Sequence, residues 1–421
     1  MRMRAAAPVV ARHFLPGSLP LIAWSAGFDS RPGAPAGAPG SSKLPPAISV
    51  SMAMAREERR RLVLLIDCLR IGGAERQLIT LAQSLGAKGF EVIVITYRDV
   101  PADVATFCVP PGVQHVHVPG RGWNRKLLRR LRALQPAWIC GGLPRANLRL
   151  VLYRPWLGTT RLIMCFRSCC RPRQAPSLRR RIMLRAEPVF LRWADGVIAN
   201  SQAGRDLLAC ASHGRIQARV VPNGIDTERF RPDADGGRRF RQEHGIRDDV
   251  ALIGIVARLH YAKHHELFLL AAAQMPAAVQ FACIGGGPVD YIRELQTMAQ
   301  GLGLGARVLF TGDTADMGAA YNALSLCTLC SRFEGLPNAL AEAMACGVPC
   351  VGTEVGDTAA LLGETGVTVP PDDAAALAKA WGTVLSWDRA RAGQRARQRI
   401  LDCYSTAALA QRTAAVLEAI R

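Results

Sequence analysis

The segment Ser331–Cys350 carries the residue types best suited to chemistry, in the order SRFEGLPNALAEAMACGVPC. The pattern predicts a buried strand that ends at a Glu-Gly-Leu-Pro-Asn loop, which opens a helix. Free backbone N–H groups and the dipole at a helix start favour a phosphate. The loop residues Gly335, Leu336, Pro337 and Asn338 are therefore candidates for binding a phosphorylated ligand.

Two acidic residues of this segment, Glu334 and Glu342, are eight positions apart. That spacing is about two helical turns and places both on one side of the helix. Carboxylates accept paired hydrogen bonds from vicinal hydroxyls, as on a sugar or a ribose. We expect Glu334 to point into a cleft beside the phosphate site and Glu342 to lie behind it. The alternative is an ordinary acid near a helix start and a solvated glutamate.

The elements that must position these residues alternate between strand and helix from Arg61 onward. Continuous apolar runs such as Leu62–Ile66 and Val250–Val256 predict buried parallel strands. A second strand–helix series begins at Val250, after the polar segment Arg231–Gly237. The sequence therefore predicts an α/β protein with two doubly wound parallel sheets, which face each other across a cleft at the carboxyl ends of their strands.

We predict four segments along the chain. Residues 56–232 and 233–390 form the two domains, and residues 391–421 form a helix that packs back across them. Residues 1–55 are rich in Pro, Gly, Ala and Ser and show no amphipathic period before Arg61. We interpret them as a disordered or spurious N-terminal extension. A signal peptide matches this segment only weakly, and its composition also resembles a transit peptide.

The charge is unevenly distributed. The net charge is +20, with +19 over residues 56–232 and −3 over residues 233–421. The first domain should therefore attract polyanions such as anionic lipids, nucleic acids or phosphorylated substrates. The excess is mostly Arg, which a GC-rich genome would also produce. No apolar run is long enough to span a membrane. We expect a cytoplasmic protein, with peripheral attachment to the inner face of the cytoplasmic membrane left open.

The 13 cysteines show no short-spaced framework, which favours reduced thiols. Cys327, Cys330, Cys346 and Cys350 have metal-like spacing, but they fall in a predicted strand, a helix end and the next strand. They are better explained as small buried apolar residues. We predict no metal site.

The E-x7-E segment, followed by Gly-x-Pro, resembles the retaining family 4 glycosyltransferases, which have the GT-B fold of two Rossmann-like domains. The resemblance covers roughly Leu62 to Ala380 and rests on several motifs in the right order. The further motifs are Gly72–Arg76, Val221–Asp226, Gly254–Leu259 with Lys263, Gly285–Gly287 and Gly366–Pro371.

The resemblance implies roles for individual residues. Arg258 and Lys263 would bind the donor diphosphate, and two fixed cations suit a leaving nucleotide diphosphate without a metal. Glu334 would hold the donor sugar, so these three form the predicted catalytic set. Glu342 would bind the ribose hydroxyls. No cofactor is expected beyond the nucleotide-sugar, which is a substrate.

Glycines from both domains would complete the donor site. By the resemblance, Gly72 and Gly73 would border the phosphates from the opposite domain. Gly285 and Gly286 lie in a turn that lets a nucleotide approach the backbone.

The chain departs from the family pattern at a His near the donor sugar, where it has Arg167 instead. Arg167 and Asn147 are candidates for contacts with the donor sugar or the acceptor. Arg167 is a poor general base, which fits a retaining reaction in which the leaving phosphate oxygen takes the acceptor proton. The other histidines considered are interpreted as structural or merely nearby: His115, His117, His260, His264 and His265.

The expected function is retaining transfer of a sugar from a nucleotide-sugar to a carrier-linked glycan or polysaccharide, in cell-envelope, lipopolysaccharide or exopolysaccharide biosynthesis. The cationic first domain, including the run Arg167–Arg185, would face the acceptor and an anionic membrane surface. A basic nucleic-acid-binding protein is disfavoured, because only Phe190 and Trp193 accompany these arginines. A GT-B epimerase and a catalytically inactive scaffold stay open.

Overall fold

The computed structural model describes residues 60–420 except 71, 102–103, 121–123 and 168–176. The predicted N-terminal extension, residues 1–55, lies outside the described residues, as does much of the Arg167–Arg185 run. The described residues contain two sheets, in which every pairing of neighbouring strands is parallel. The predicted fold class is thereby confirmed.

The first sheet has seven strands in the order β3-β2-β1-β4-β5-β6-β7. Its strands are β1 (Arg61–Ile66), β2 (Glu91–Thr96), β3 (Gln114–His117), β4 (Trp138–Gly141), β5 (Arg161–Phe166), β6 (Gly196–Ala199) and β7 (Ala218–Val220). The apolar run of β1 is buried on both faces, because helices cover both sides of a parallel sheet.

The second sheet has six strands in the order β10-β9-β8-β11-β12-β13. Its strands are β8 (Leu252–Val256), β9 (Gln280–Ile284), β10 (Val308–Gly312), β11 (Leu326–Leu329), β12 (Cys350–Thr353) and β13 (Gly366–Val369). Within this sheet β11 pairs with both β8 and β12, so the loops after β8 and β11 are neighbours.

Fourteen α-helices occur among the described residues. They are α1 (Gly73–Gly86), α2 (Arg125–Leu134), α3 (Pro144–Tyr153), α4 (Leu178–Leu191), α5 (Gln202–Ala211), α6 (Ala234–Glu243), α7 (His265–Ala272), α8 (Val289–Gly301), α9 (Met317–Asn322), α10 (Asn338–Ala345), α11 (Thr358–Leu362), α12 (Ala374–Leu385), α13 (Arg389–Cys403) and α14 (Thr406–Glu418). In the part of the chain that is described, no helix combines the length and the apolar character needed to cross a bilayer.

The chain passes between the two domains at two adjacent places. The first crossing is the segment after β7, and the second joins α13 to α14. They are hydrogen-bonded to each other, because Ile225 N donates to Tyr404 O at 2.7 Å and Thr406 N donates to Ile225 O at 3.2 Å. Helix α14 then packs on the core of the first domain, where Trp138 Nε1 donates to Leu417 O at 3.0 Å.

Candidate active site

Lys263 and Glu334 meet at the carboxyl edge of the second sheet. Lys263 ends the 3-10 turn Tyr261–Lys263 after β8, and Glu334 lies in the loop between β11 and α10. Lys263 Nζ donates to Glu334 Oε1, and Ser331 Oγ donates to the same oxygen at 2.7 Å. The side chain of Glu334 is only 12% exposed, so water screens this ion pair weakly. The structure thus brings together two of the three residues predicted to be catalytic.

The loop that carries Glu334 is held in place by its backbone. Gly356 has a φ of +57°, and a Cβ atom there would lie 2.2 Å from the Glu334 carbonyl oxygen, so only glycine fits. The next residue, Asp357, donates its backbone N–H to Gly335 O at 2.9 Å. Sequence analysis did not identify either Gly356 or Asp357.

Asp357 also ties this loop to the first domain. Its carboxylate accepts the backbone N–H of Gln202 at 2.7 Å and that of Ala203 at 2.9 Å, at the start of α5. A carboxylate at a helix N-terminus satisfies free N–H groups and is favoured by the helix dipole. This interdomain contact fixes the position of Glu334 relative to the first sheet.

Arg258, the third residue of the predicted catalytic set, is exposed directly after β8. Among the residues that the structure describes, it forms no ion pair. The glycine turn after β9 packs against this segment: Gly285 has a φ of +136°, and a Cβ atom there would lie 2.4 Å from Ala257 O. Leu259 N donates to Gly286 O at 2.8 Å. The two predicted glycines therefore bring the β9 loop against the segment that presents Arg258.

Helix α10 begins beside Glu334. Pro337 occupies its N-cap position, and no side chain caps the first turn. Leu336 and Pro337 are buried, so they offer packing rather than polar contacts. The N–H groups of the first turn are suited to an anion, because a helix start leaves them without intrahelical partners.

Glu342 is buried behind this helix start and is paired with the first domain. Arg76 Nη1 donates to its Oε1 at 3.1 Å, and Tyr321 OH donates to its Oε2 at 2.8 Å. Burial raises the pKa of Glu342, and the charge of Arg76 acts in the opposite direction. The predicted ribose-binding carboxylate therefore already has two partners. Arg76 was noted in the sequence only as part of the Gly72–Arg76 motif.

Arg167 lies at the centre of the interdomain contact. Its Nη1 donates to Asn223 Oδ1 at 3.1 Å, and Asn223 Nδ2 donates to Asn338 Oδ1 at 2.9 Å. Gly73 faces the same amide, because a Cβ atom on it would lie 3.8 Å from Asn338 Nδ2. Gly73 therefore borders the start of α10 from the opposite domain, and its contact with the donor phosphates stays a prediction.

Asn147 differs from its prediction. The side chain is fully buried in α3, and its Nδ2 donates to Cys165 O at 3.0 Å. It has no surface left for a donor or acceptor, so we correct this candidate to a residue that positions β5. The sequence placed it correctly after β4 but could not show that its helix turns it toward the sheet.

Two carboxylates of the first domain also lie at this edge, and sequence analysis did not single them out. Asp67 follows β1, and its Oδ2 lies 3.8 Å from Arg145 Nη1 and 4.0 Å from Arg98 Nη1. Its Oδ1 is buried without a hydrogen-bond partner among the described residues. Burial raises the pKa of the nearby Glu75, and Asp67 adds to this effect.

The two histidines after Lys263 shape its turn. His264 has a φ of +52°, a left-handed conformation that is uncommon for residues other than glycine. Its Nε2 lies 2.9 Å from Asp372 Oδ1 and 2.7 Å from Arg332 Nη2. His265 is fully buried, and burial lowers its pKa to about 4. These contacts are those of residues that hold the turn in place.

The cysteines with metal-like spacing are buried free thiols. Cys327 and Cys350 pair across β11 and β12, and burial raises the pKa of the Cys330 and Cys350 thiols. The described residues contain no cluster of three or more His, Cys, Asp or Glu side chains that is able to hold a metal ion.

Comparison with curated proteins finds relatives that match about half of their own length. A GDP-mannose-dependent alpha-(1-6)-phosphatidylinositol monomannoside mannosyltransferase of Mycolicibacterium smegmatis is 32% identical over 207 residues, which are 46% of this chain and 53% of the relative. The lipopolysaccharide core biosynthesis mannosyltransferase LpsB of Rhizobium meliloti is 31% identical over 201 residues, 45% of this chain and 55% of the relative.

Solved structures show the same fold. A crystal structure of Anabaena Alr3699/HepE in complex with UDP and glucose superposes with a TM-score of 0.72 at 21% identity, over 85% of this chain and 99% of that one. Two family models match the domains separately: Glycosyltransferase Family 4 over residues 71–229 and Glycosyl transferases group 1 over residues 251–386. Together they match more than half of the chain, one model to each half of a GT-B fold, and the chain therefore belongs to the family 4 glycosyltransferases.

Proposed function

We propose that this protein transfers a hexose from a nucleotide-sugar to a glycan acceptor with retention of the anomeric configuration. The observation that carries the proposal is the contact of Lys263 with Glu334 beside the start of α10, opposite Gly73 of the other domain. A cation, a carboxylate and free helix N–H groups are the groups needed to hold a diphosphate next to a sugar.

The donor diphosphate would lie between Arg258, Lys263 and the first turn of α10. Arg258 is exposed and available for a phosphate. Lys263 would exchange part of its contact with Glu334 for a phosphate oxygen. Two cations stabilise the charge that develops on the leaving diphosphate, so we propose that the reaction needs no metal.

The sugar and the nucleoside would be held by opposite ends of the same loop and helix. Glu334 would accept hydrogen bonds from hydroxyls of the donor sugar at its Oε2, because Lys263 and Ser331 hold its Oε1 in place. Glu342 would accept from the ribose hydroxyls with the lone pairs that Arg76 and Tyr321 leave free, and the turn at Gly285 and Gly286 would approach the nucleotide with its backbone.

Retention follows from attack on the face that the diphosphate leaves. The bond between the anomeric carbon and the phosphate oxygen breaks, the acceptor hydroxyl oxygen bonds to that carbon, and the departing phosphate oxygen takes the hydroxyl proton. No side chain has to act as base in this step. Arg167, held by Asn223, would stabilise the negative charge beside it.

The acceptor is proposed to be a carrier-linked glycan of lipopolysaccharide or exopolysaccharide synthesis, in the cytoplasm. The names of the two curated relatives support this class, because both are mannosyltransferases and their names include a lipid-linked and a lipopolysaccharide acceptor. GDP-mannose is therefore the first donor to test, and UDP-glucose is the second.

A donor panel tests this proposal. UDP-, GDP- and ADP-sugars are added to the full chain and unfolding temperatures are compared; a true donor at about 100 times its Kd adds about 2.7 kcal/mol. The variant Lys263→Ala should lose this shift, whereas Arg247→Ala, at a surface ion pair with Asp249, should keep it. Proton NMR of the product then gives the anomeric configuration, and added EDTA should leave the rate unchanged.

Three results would contradict the proposal. If no donor raises the unfolding temperature, the proposed donor site is wrong. If the product has the inverted anomeric configuration, the retaining mechanism is wrong. Conversion of the donor to its epimer without acceptor identifies an epimerase on the same fold.

A further inference from the structure

One face of the first domain exposes most of the large apolar side chains that reach solvent. Among the described residues, nine large apolar side chains are exposed, and six of them lie on α3, α4 and the short segments that follow these helices. The six are Leu152 (51% exposed), Trp156 (49%), Leu178 (68%), Ile182 (57%), Val189 (45%) and Trp193 (48%). Helix α3 packs against α4, so the six belong to one region of the surface.

The apolar residues of α4 form a stripe on its outer side. Leu178, Ile182 and Val189 are spaced by four and seven positions, which at 3.6 residues per turn brings them to one side. Trp193 follows in the turn after the helix. A surface helix of a globular protein normally turns such a stripe toward the core. Here the stripe faces solvent. The opposite side of α4 meets the core, because Leu191 on that side is buried.

Arginines flank the stripe, and neither α3 nor α4 has an exposed acidic residue. Arg179, Arg181, Arg185 and Arg192 are exposed, and the Arg192 guanidinium lies 5.4 Å from the centre of the Trp193 ring. Between Asp103 and Asp195 the sequence has one acidic residue, Glu187, and it is buried. The region is therefore both apolar and strongly cationic.

We propose that this surface, termed the α4 face and made of Leu152, Trp156 and the exposed side chains of residues 178–193, binds the surface of an anionic lipid bilayer. Trp and aliphatic side chains enter the boundary between headgroups and acyl chains, and long Arg side chains reach the phosphates from the same depth.

The apolar stripe favours a bilayer over a nucleic acid as the partner of this surface. Nucleic-acid phosphates would engage the arginines but leave Leu178, Ile182 and Val189 in water. Stacking on bases would need several aromatic side chains, and α4 offers Phe190 and Trp193. A bilayer has anionic headgroups for the arginines and a hydrocarbon layer for the apolar side chains, so it can contact the whole α4 face.

This inference deepens the proposed function, because an acceptor on a lipid carrier would be presented at the same bilayer surface. Its test does not need the donor or the acceptor. Vesicle binding can therefore fail while sugar transfer succeeds, and the reverse outcome is equally distinguishable.

The test is co-sedimentation of the full chain with vesicles of phosphatidylcholine containing 30% phosphatidylglycerol, against phosphatidylcholine alone. We expect binding to the anionic vesicles at about 0.1 M salt and at least tenfold weaker binding to the neutral ones. The double variant Ile182→Ser, Trp193→Ser should bind at least tenfold more weakly. The matched control Val289→Ser, Leu401→Ser removes exposed apolar side chains elsewhere and should bind like the parent protein.

A charge variant gives the second arm. Replacing Arg179, Arg185 and Arg192 by Gln should abolish the preference for anionic vesicles, and the control Arg215→Gln, Arg391→Gln should retain it. The proposal is overturned if the parent protein does not sediment, if both apolar variants bind equally, or if a duplex oligonucleotide binds through the arginines and displaces the vesicles regardless of Ile182 and Trp193. Unchanged unfolding temperatures identify variants that are folded.

Discussion

Arg76 of the first domain and Glu342 of the second form an ion pair at 3.1 Å that joins the two domains. The carboxylate is buried and shares its second oxygen with Tyr321, whereas Arg76 remains partly exposed. One bond thus connects helix α1, which follows the glycine segment, with helix α10, which begins at the proposed phosphate site. The relative position of the two halves depends on this contact.

Loss of Arg76 should destabilise the protein. The variant Arg76→Ala leaves a buried carboxylate with Tyr321 alone, and we expect the free energy of unfolding in urea to fall by about 2 kcal/mol. In the double variant with Glu342→Gln, the two losses should be less than additive. Arg238→Ala, at an exposed ion pair with Asp235, serves as control and should cost less than about 1 kcal/mol. Equal losses at Arg76 and Arg238 would contradict the interdomain role.

Glu334→Gln should reduce catalysis more than donor binding. The amide keeps the shape of the side chain but lacks the charge that faces Lys263 and Ser331. We expect kcat/KM for the donor identified in the panel to fall by about 10²-fold. Calorimetry with the matching nucleoside diphosphate should give a Kd within about threefold of the parent. The exposed Glu354→Gln is the control, and a similar loss there would refute a specific role of Glu334.

Gly356→Ala should displace the Glu334 loop. The new Cβ atom would meet the Glu334 carbonyl oxygen at 2.2 Å, in addition to the strain of a φ of +57°. We expect a loss of at least about 2 kcal/mol in stability and a marked loss of transfer. Gly89→Ala is a matched control, because its φ is +82° but a Cβ atom there has nothing within 4 Å. It should cost about 1 kcal/mol and leave transfer intact.

His265 should make the protein less stable at acidic pH. Burial lowers its pKa in the folded state from 6.5 to about 4, with Lys263 and His264 acting in the same direction and Glu266 opposing. Between these two values the unfolded chain takes up a proton that the folded chain does not, so the free energy of unfolding falls as the pH falls. The full effect is on the order of 3 kcal/mol.

The variant His265→Leu isolates this effect. Urea unfolding at pH 7 and at pH 4.5 should differ less in this variant than in the parent protein. The exposed His213→Asn should show the parent's pH dependence. If His265→Leu does so as well, the buried imidazole does not carry the acid sensitivity.

Much of the fold was predictable because local pattern and burial agree. The continuous apolar runs at Leu62–Ile66 and Leu252–Val256 are buried parallel strands. A strand that helices cover on both faces is apolar at every position, so its sequence pattern is easy to recognise. The positions of Glu334, Lys263 and Arg258 at carboxyl ends of strands followed from the same alternation of strands and helices.

The contacts between domains were not predictable in this way. Arg76 and Glu342 are 266 positions apart, and their pairing depends on the angle between two domains, which no local pattern encodes. Asp357 did not stand out in the sequence, yet its carboxylate caps a helix of the other domain. The prediction for Asn147 was wrong for a related reason. The rotation of its helix determines whether the side chain points to the cleft or to the core.

The two adjacent crossings at Ile225 and Tyr404–Thr406 determine how the halves can move. Sliding one half past the other, or twisting it, would break the hydrogen bonds that join the crossings, whereas a swing about an axis through them would not. We therefore expect any opening of the cleft to pivot at these two adjacent crossings. Spectroscopic labels beside Ile225 should keep a constant separation while labels across the far rim of the cleft move apart.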